Sequence, residues 1–140
     1  MKKVLVVDDQ ASVVRLIDAT LKKIGVAYVL DYCSDGAQGR LKALQRPYDL
    51  IILDLAMPFM GGLEALAEIK LDPKAAEAVV VVITAIKDTA QHKEAERLGA
   101  AAVVTKPFEI EEFARILRLA LERQIKPPRG KDEPEITWRD

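Results

Sequence analysis

Apolar residues gather along the chain in five short runs rich in β-branched side chains, Lys3–Val7, Ala27–Tyr32, Leu50–Leu53, Val79–Thr84 and Ala101–Thr105. Between them apolar positions recur at helical spacing. Short runs with little polar alternation predict strands buried on both faces, and strands alternating with helices predict an α/β fold on a parallel sheet. The first helical stretch carries Val13, Leu16, Ile17, Leu21 and Ile24 and stops at Gly25, a candidate C-cap. The second runs from about Asp35 to Gln45 and ends before Pro47. The third begins after Gly61-Gly62, presents Leu63, Leu66 and Ile69, and gives way at Asp72-Pro73. The fourth spans about Asp88 to Leu98 with Gly99 as its cap. The fifth starts near Glu109, where acid suits a helix N-terminus, and its expected buried stripe is Ile110, Phe113, Leu117, Ala120 and Leu121.

The chemically interesting residues sit where these strands stop. Val4 to Val7 leads into Asp8-Asp9, and Leu50 to Leu53 leads into Asp54. In open α/β sheets, ligands bind outside the carboxyl ends of the strands. If the first and third strands are neighbours, three carboxylates converge on one small volume. At about 4 Å and an effective dielectric near 20, each like-charged pair costs roughly 4 kcal/mol. Such a cluster needs a cation or a proton. Thr84 closes the fourth run, and Lys106-Pro107 follows the fifth. Taken singly, Asp9 and Asp54 read better as helix caps or loop carboxylates, and Lys106 as a solvated charge.

Composition narrows the class. The chain has 140 residues, half of them apolar and 31% charged, which fits one soluble globular domain. Lys and Arg number 21 against 22 Asp and Glu, so no basic surplus points to nucleic acid. The opening Met1 to Val7 imitates a signal peptide, but its apolar stretch ends at Asp8, too short for a signal core or a membrane span. Cys33 is the sole cysteine and His92 the sole histidine, which argues against disulfides, Cys-based metal sites, His-based zinc and a catalytic triad. A reduced, cytoplasmic setting is expected, with no membrane partner. His92 is expected on an exposed helix face beside Lys93 and Glu94, without a role. From Lys126 onward Pro127, Pro128, Gly130 and Pro134 sit among alternating charges, with Ile136 and Trp138 the only large apolar residues. Residues 125–140 therefore read as a frayed tail, a docking peptide or a linker stub beyond a folded domain at 1–124.

Taken together, Asp8-Asp9, Asp54 with Met57-Pro58 and Gly61-Gly62, Thr84 and Lys106-Pro107 resemble the receiver domain of bacterial response regulators. The resemblance covers about residues 1–124. Each element alone is weak; in this order, on successive element ends, they are specific. The resemblance implies a single doubly wound (βα)5 flavodoxin-like domain with a parallel sheet of order 2-1-3-4-5. It implies that Asp54 accepts a phosphoryl group from a sensor histidine kinase or a phosphotransfer protein. It further implies one Mg2+, held by Asp8, Asp9, Asp54 and the backbone carbonyl of Ala56, an oxygen set that this ion prefers. Lys106 would pair with the acceptor or its phosphate, a cis Pro107 would turn Lys106 toward the site, and Thr84 would hydrogen-bond a phosphate oxygen. Gly61-Gly62 is expected to let the loop turn tightly into the third helix.

The chain also departs from the family pattern. Many receivers carry Tyr or Phe three residues before the lysine; here that residue is Val103. Ala85 is small and would leave the acceptor open to a bulky donor. Ala56 and Ile86 flank the mouth of the site and lack polar side chains that could orient a water, so slow self-dephosphorylation is expected. Output is expected through protein contact, to an unknown downstream protein or a second copy, over the face of the fourth helix, fifth strand and fifth helix. Val103, Ile116 and Leu119 are its candidate residues. Phosphohydrolases with an Asp nucleophile carry a second Asp two residues on, the place of Ala56, so no turnover of a separate substrate is expected. The alternatives are a receiver-like scaffold that is never phosphorylated, whose mark would be a lost acid or lysine, and the receiver part of a longer transcription regulator.

Overall fold

The computed structural model describes residues 1–57 and 60–123. Pro58 of the Met57-Pro58 pair and the expected tail, with Ile136 and Trp138, lie outside the described residues. Among those described, five strands and five helices alternate: β1 (Lys2–Val7), α1 (Ala11–Ile24), β2 (Tyr28–Cys33), α2 (Gly36–Gln45), β3 (Leu50–Asp54), α3 (Gly62–Leu71), β4 (Val79–Thr84), α4 (Thr89–Arg97), β5 (Ala102–Thr105) and α5 (Ile110–Leu121). A single 3-10 turn over Ala75–Glu77, absent from the sequence reading, links α3 to β4. All strand pairs are parallel, and the sheet order is β2-β1-β3-β4-β5, as the resemblance implied.

The apolar runs lack alternation because both sheet faces are covered. Leu5, Val7, Ile51, Leu53, Val80 and Val82 pack with buried residues of α2, α3 and α4. Val4, Val6, Leu50, Ile52, Val81 and Ile83 pack with Ile17 and Leu21 of α1 and Phe113, Leu117 and Leu121 of α5. Alternate residues of one strand thus anchor opposite helix layers.

Element ends follow the expected signals with a few corrections. Gly25 and Gly99 follow α1 and α4 at φ of 85° and 117°, the left-handed conformation that glycine adopts at no steric cost. Strand β2 runs one residue later than expected at both ends, because Cys33 pairs with Val7 and is buried there. Ile110, expected in the α5 stripe, is 42% exposed. It is the first residue of the helix, and Phe108 supplies the apolar contact at this end, its ring centroid 4.3 Å from that of Phe113. Ala114 belongs to the buried stripe in its place. Val103 and Ile116 are partly buried against the two core layers, and Leu119 is half-buried, so none of the three candidate output residues is fully exposed.

Gly61 and Gly62 have a reason other than a left-handed turn. Gly61 sits at φ −71° and ψ 160°, a conformation open to any residue. At Gly62 a Cβ would lie 2.2 Å from the carbonyl oxygen of Asp54 and 2.5 Å from the Cα of Leu55. Its bare Cα lets α3 start directly against the end of β3, and its N–H donates to the Leu55 carbonyl at 3.0 Å. Gly62→Ala is expected to lower stability by about 1–3 kcal/mol through this backbone overlap. Urea denaturation should show a lower midpoint with an unchanged slope; an unchanged midpoint would refute the close-approach account.

Candidate functional site

Parallel pairing of β1 with β3, Val7 opposite Leu53, brings the ends of these strands side by side. Asp8 follows β1 and is fully buried; Asp54 closes β3 and is 3% exposed; Asp9 is exposed. One carboxylate oxygen from each of the three can be chosen so that all lie within 4.8 Å of one another. The convergence expected from the sequence is therefore present. On the other side, pairing of Thr84 with Thr105 places Lys106 just beyond β5, and its N–H donates to the Thr84 carbonyl at 2.7 Å. The Lys106–Pro107 peptide is cis.

Lys106 crosses the gap. Its Nζ donates to Asp8 Oδ2 at 2.9 Å, to Asp54 Oδ2 at 3.2 Å and to Gln10 Oε1 at 3.0 Å. An ammonium has three donors, and here each has an acceptor. The other carboxylate oxygens hold backbone: Asp8 Oδ1 accepts from Gln10 N at 2.8 Å, and Asp54 Oδ1 from Ala56 N at 3.2 Å. Thr84 is buried at the end of β4, where its Oγ1 accepts from Ile86 N at 3.0 Å.

The charges set the site's chemistry. Burial, and then the Asp8 charge, push the Asp54 carboxyl above its ordinary range, against the pull of the Ala56 N–H and of Lys106. Burial alone would lower the Lys106 amine, but the Asp8 hydrogen bond and the Asp54 charge outweigh it and raise it. Three carboxylates against one ammonium leave two negative charges in one corner. The donors are all oxygen and nearly as close as the span of about 4.2 Å across an octahedral shell with bonds of about 2.1 Å. The trio suits one divalent cation, bound directly or through water.

Sequence reasoning missed two residues. Gln10, next to Asp9, looks like any polar residue at a helix start; only its contact with Lys106, far along the chain, marks it. His92 is half-buried rather than exposed, and its Nε2 lies 2.6 Å from the Ile86 carbonyl oxygen. Because α4 begins at Thr89, His92 falls in the first turn and reaches back to the loop before the helix.

A doubly wound parallel sheet with a lysine-bridged carboxylate cluster at its carboxyl edge defines a class that the comparisons identify. The family model described as "Response regulator receiver domain" matches residues 4–118, and the chain belongs to that family, the receivers of two-component systems. It is 36% identical over 124 residues to the response regulator ArlR of Staphylococcus epidermidis, an alignment covering 89% of this chain and 54% of that protein. The chain thus spans about half the length of that relative. It is 36% identical over 111 residues to a probable chemotaxis protein CheY of Rhizobium etli, covering 79% of this chain and 85% of that one. Among solved structures, the receiver domain of a sensor histidine kinase from Pseudomonas aeruginosa, with a magnesium ion in its active-site cleft, superposes with a TM-score of 0.75. That pair is 26% identical and covers 86% of this chain and 98% of the other. No helix among the described residues is long and apolar enough to cross a membrane.

Removing the ammonium exposes what it holds. Lys106→Ala leaves two buried carboxylates facing each other and is expected to cost about 3–5 kcal/mol near neutral pH. In the folded state Asp54 titrates above its ordinary value of 3.8, so it takes up a proton there before it does in the unfolded chain. Lowering the pH therefore favours the folded state of the variant, and part of the loss should return as the pH falls toward the ordinary carboxylate range. The Lys106 pairing in the wild type has the opposite window: it is intact below the ordinary 10.5 and lost as pH rises through the raised value. Urea denaturation of the variant at both ends of the acidic range checks this, and a pH-independent loss would rule out charge as the cause.

Proposed function

We propose that the protein is a phosphorylation-dependent signalling switch in which Asp54 accepts a phosphoryl group from a histidine kinase or phosphotransfer protein. The observation that carries this reading is the convergence of Asp8, Asp9 and Asp54 with Lys106 at bonding distance from Asp54. A carboxylate attacks a phosphoryl group poorly while both carry negative charge. Asp8, Asp9, Asp54 and the carbonyl of Ala56 would hold one Mg2+, which would supply the neutralising charge that the transfer needs. In the transfer the donor's N–P bond breaks as an Asp54 O–P bond forms, leaving an acyl phosphate and a free imidazole on the donor. Lys106 then meets the phosphoryl charge as a point charge on a flexible stem, and Thr84 offers its hydroxyl to a phosphoryl oxygen.

The magnesium-bound Pseudomonas receiver supports the metal assignment by likeness. Ala56 stands where phosphohydrolases of the Asp-nucleophile type carry a general acid, so the protein turns over no substrate beyond its own phosphoryl group. Its setting is the cytoplasm and its output is protein contact. The α4–β5–α5 face is the surface offered to a downstream protein or a second copy. Shifting a two-state population from 1:99 to 99:1 takes about 5.5 kcal/mol of differential stabilisation, within reach of several new charge-assisted contacts to one phosphoryl group.

Incubation with acetyl phosphate and Mg2+ should add one phosphoryl group to the wild type by intact mass, and none to Asp54→Asn or without the metal. Labelling of Asp54→Asn at the wild-type level would sink the assignment. Once loaded, the acyl phosphate should last several-fold longer in the wild type than in Ala56→Asn, because exposed Ala56 and half-buried Ile86 present no side-chain donor to position a water. Faster decay in the wild type would contradict this.

A further inference from the structure

His92 forms a link between the site and α4. A carbonyl oxygen only accepts, so the 2.6 Å contact with Ile86 O requires the proton on His92 Nε2, which the neutral Nε2–H tautomer and the imidazolium both provide. The N–H of the same Ile86 donates to Thr84 Oγ1 at 3.0 Å. One loop residue is therefore held from both sides of its backbone, by the site through Thr84 and by the helix through His92. Its side chain packs partly into the core layer that also receives Met57, Leu98 and Val103.

Helix α4 does not need this bond for its own end. Asp88 caps it, accepting from Ala90 N at 2.9 Å through its side chain, and the Asp88 carbonyl accepts from Gln91 N and His92 N. Nor is α4 firmly seated, since Ala95 is its only fully buried residue. The bond instead ties a lightly anchored helix to the loop leaving the site. Val103 offers no ring to respond to Thr84, and this backbone path connects the Thr84 hydroxyl to α4.

We propose that His92 is a positioning residue for Thr84: by holding the Ile86 carbonyl it keeps the β4–α4 loop in its resting arrangement and opposes recruitment of the Thr84 hydroxyl by a phosphoryl group. Recruitment gives that bond up, and α4 is then released from the loop that leaves the site. This rests on the reading of Asp54 as the acceptor. The phosphoryl group is the ligand whose binding the clamp resists, so the effect shows as a change in affinity for a phosphoryl mimic.

The test titrates beryllofluoride in the presence of Mg2+ against wild type, His92→Ala and His92→Gln, followed by amide NMR. His92→Ala should bind beryllofluoride about fivefold more tightly, the change made by one hydrogen bond of about 1 kcal/mol lost from the resting state alone. His92→Gln, whose amide nitrogen can donate in place of the ring, should stay near the wild type. Affinity for Mg2+ alone should be the same in all three, a readout that general damage to the fold would move. Equal beryllofluoride affinity in the three proteins, or weaker binding by His92→Ala, would overturn the proposal. Failure of the wild type to bind beryllofluoride while binding Mg2+ would overturn the acceptor reading itself, and this inference with it.

Discussion

One ammonium holds the carboxyl edge of this sheet together. Lys106 arrives from the end of β5 and spans to Asp8 after β1 and Asp54 at the end of β3. Both carboxylates are essentially buried, and at such separations their repulsion in a medium of effective dielectric near 20 would be roughly 4 kcal/mol. Lys106 offsets this only because the register of β4 and β5 delivers it there: Thr84 faces Thr105, and the Lys106 N–H closes on the Thr84 carbonyl. The site is therefore a property of the whole sheet, from β1 to β5. A slip in any of those pairings would leave a buried charge without its partner.

Around that edge the fold is unevenly anchored. Helices α1 and α5 bury large side chains on one sheet face, Ile17 and Leu21 from the first, Phe113, Leu117 and Leu121 from the second. On the other face α3 buries Leu66 and Ile69, and Gly62 seats it against the backbone of Asp54. Helix α4 buries Ala95 alone in full. Apolar burial contributes about 25 cal/mol per Å² removed from water, so a helix with a single fully buried residue moves at low cost. It also follows directly on the strand that ends in Thr84.

Much of this was legible in the sequence, and the reasons differ by element. The buried strands were, because β-branched runs covered on both faces have no other soluble use at that length. So were Gly25 and Gly99, and the carboxylates at the ends of β1 and β3, because a polar residue ending a buried run must meet something polar. Ile110 was misplaced because periodicity assumes that a helix packs along its full length, whereas Phe108 fills the space at its first turn. The β2 boundary was blurred by Asp31 and Tyr32, polar residues that an edge strand tolerates. Gln10 and His92 were invisible for a different reason. Each acts through a single hydrogen bond whose partner is set by tertiary placement, a lysine from β5 in one case and a loop carbonyl in the other. Hydrophobic periodicity encodes burial, not such pairings.

Charge balance then explains why a site of this form can act as a switch. At rest, three carboxylates and one ammonium leave two negative charges, which one divalent cation would neutralise. Turning the Asp54 carboxylate into an acyl phosphate replaces a singly charged group by a doubly charged one, so the neutral assembly gains one negative charge. A cation held there would already be engaged by the carboxylates, and Lys106 is divided among Asp8, Gln10 and Asp54. Full engagement of the new charge would require Lys106 to loosen from Gln10 or Asp8, and would call on the neutral hydroxyl of Thr84 at the end of β4. That hydroxyl is already the acceptor for the Ile86 N–H, whose residue His92 holds from the far side. A single added charge thus draws on two sets of bonds at once. The first reaches across the sheet to α1 through Gln10, and the second would pass along the β4–α4 loop to α4, which buries Ala95 alone in full.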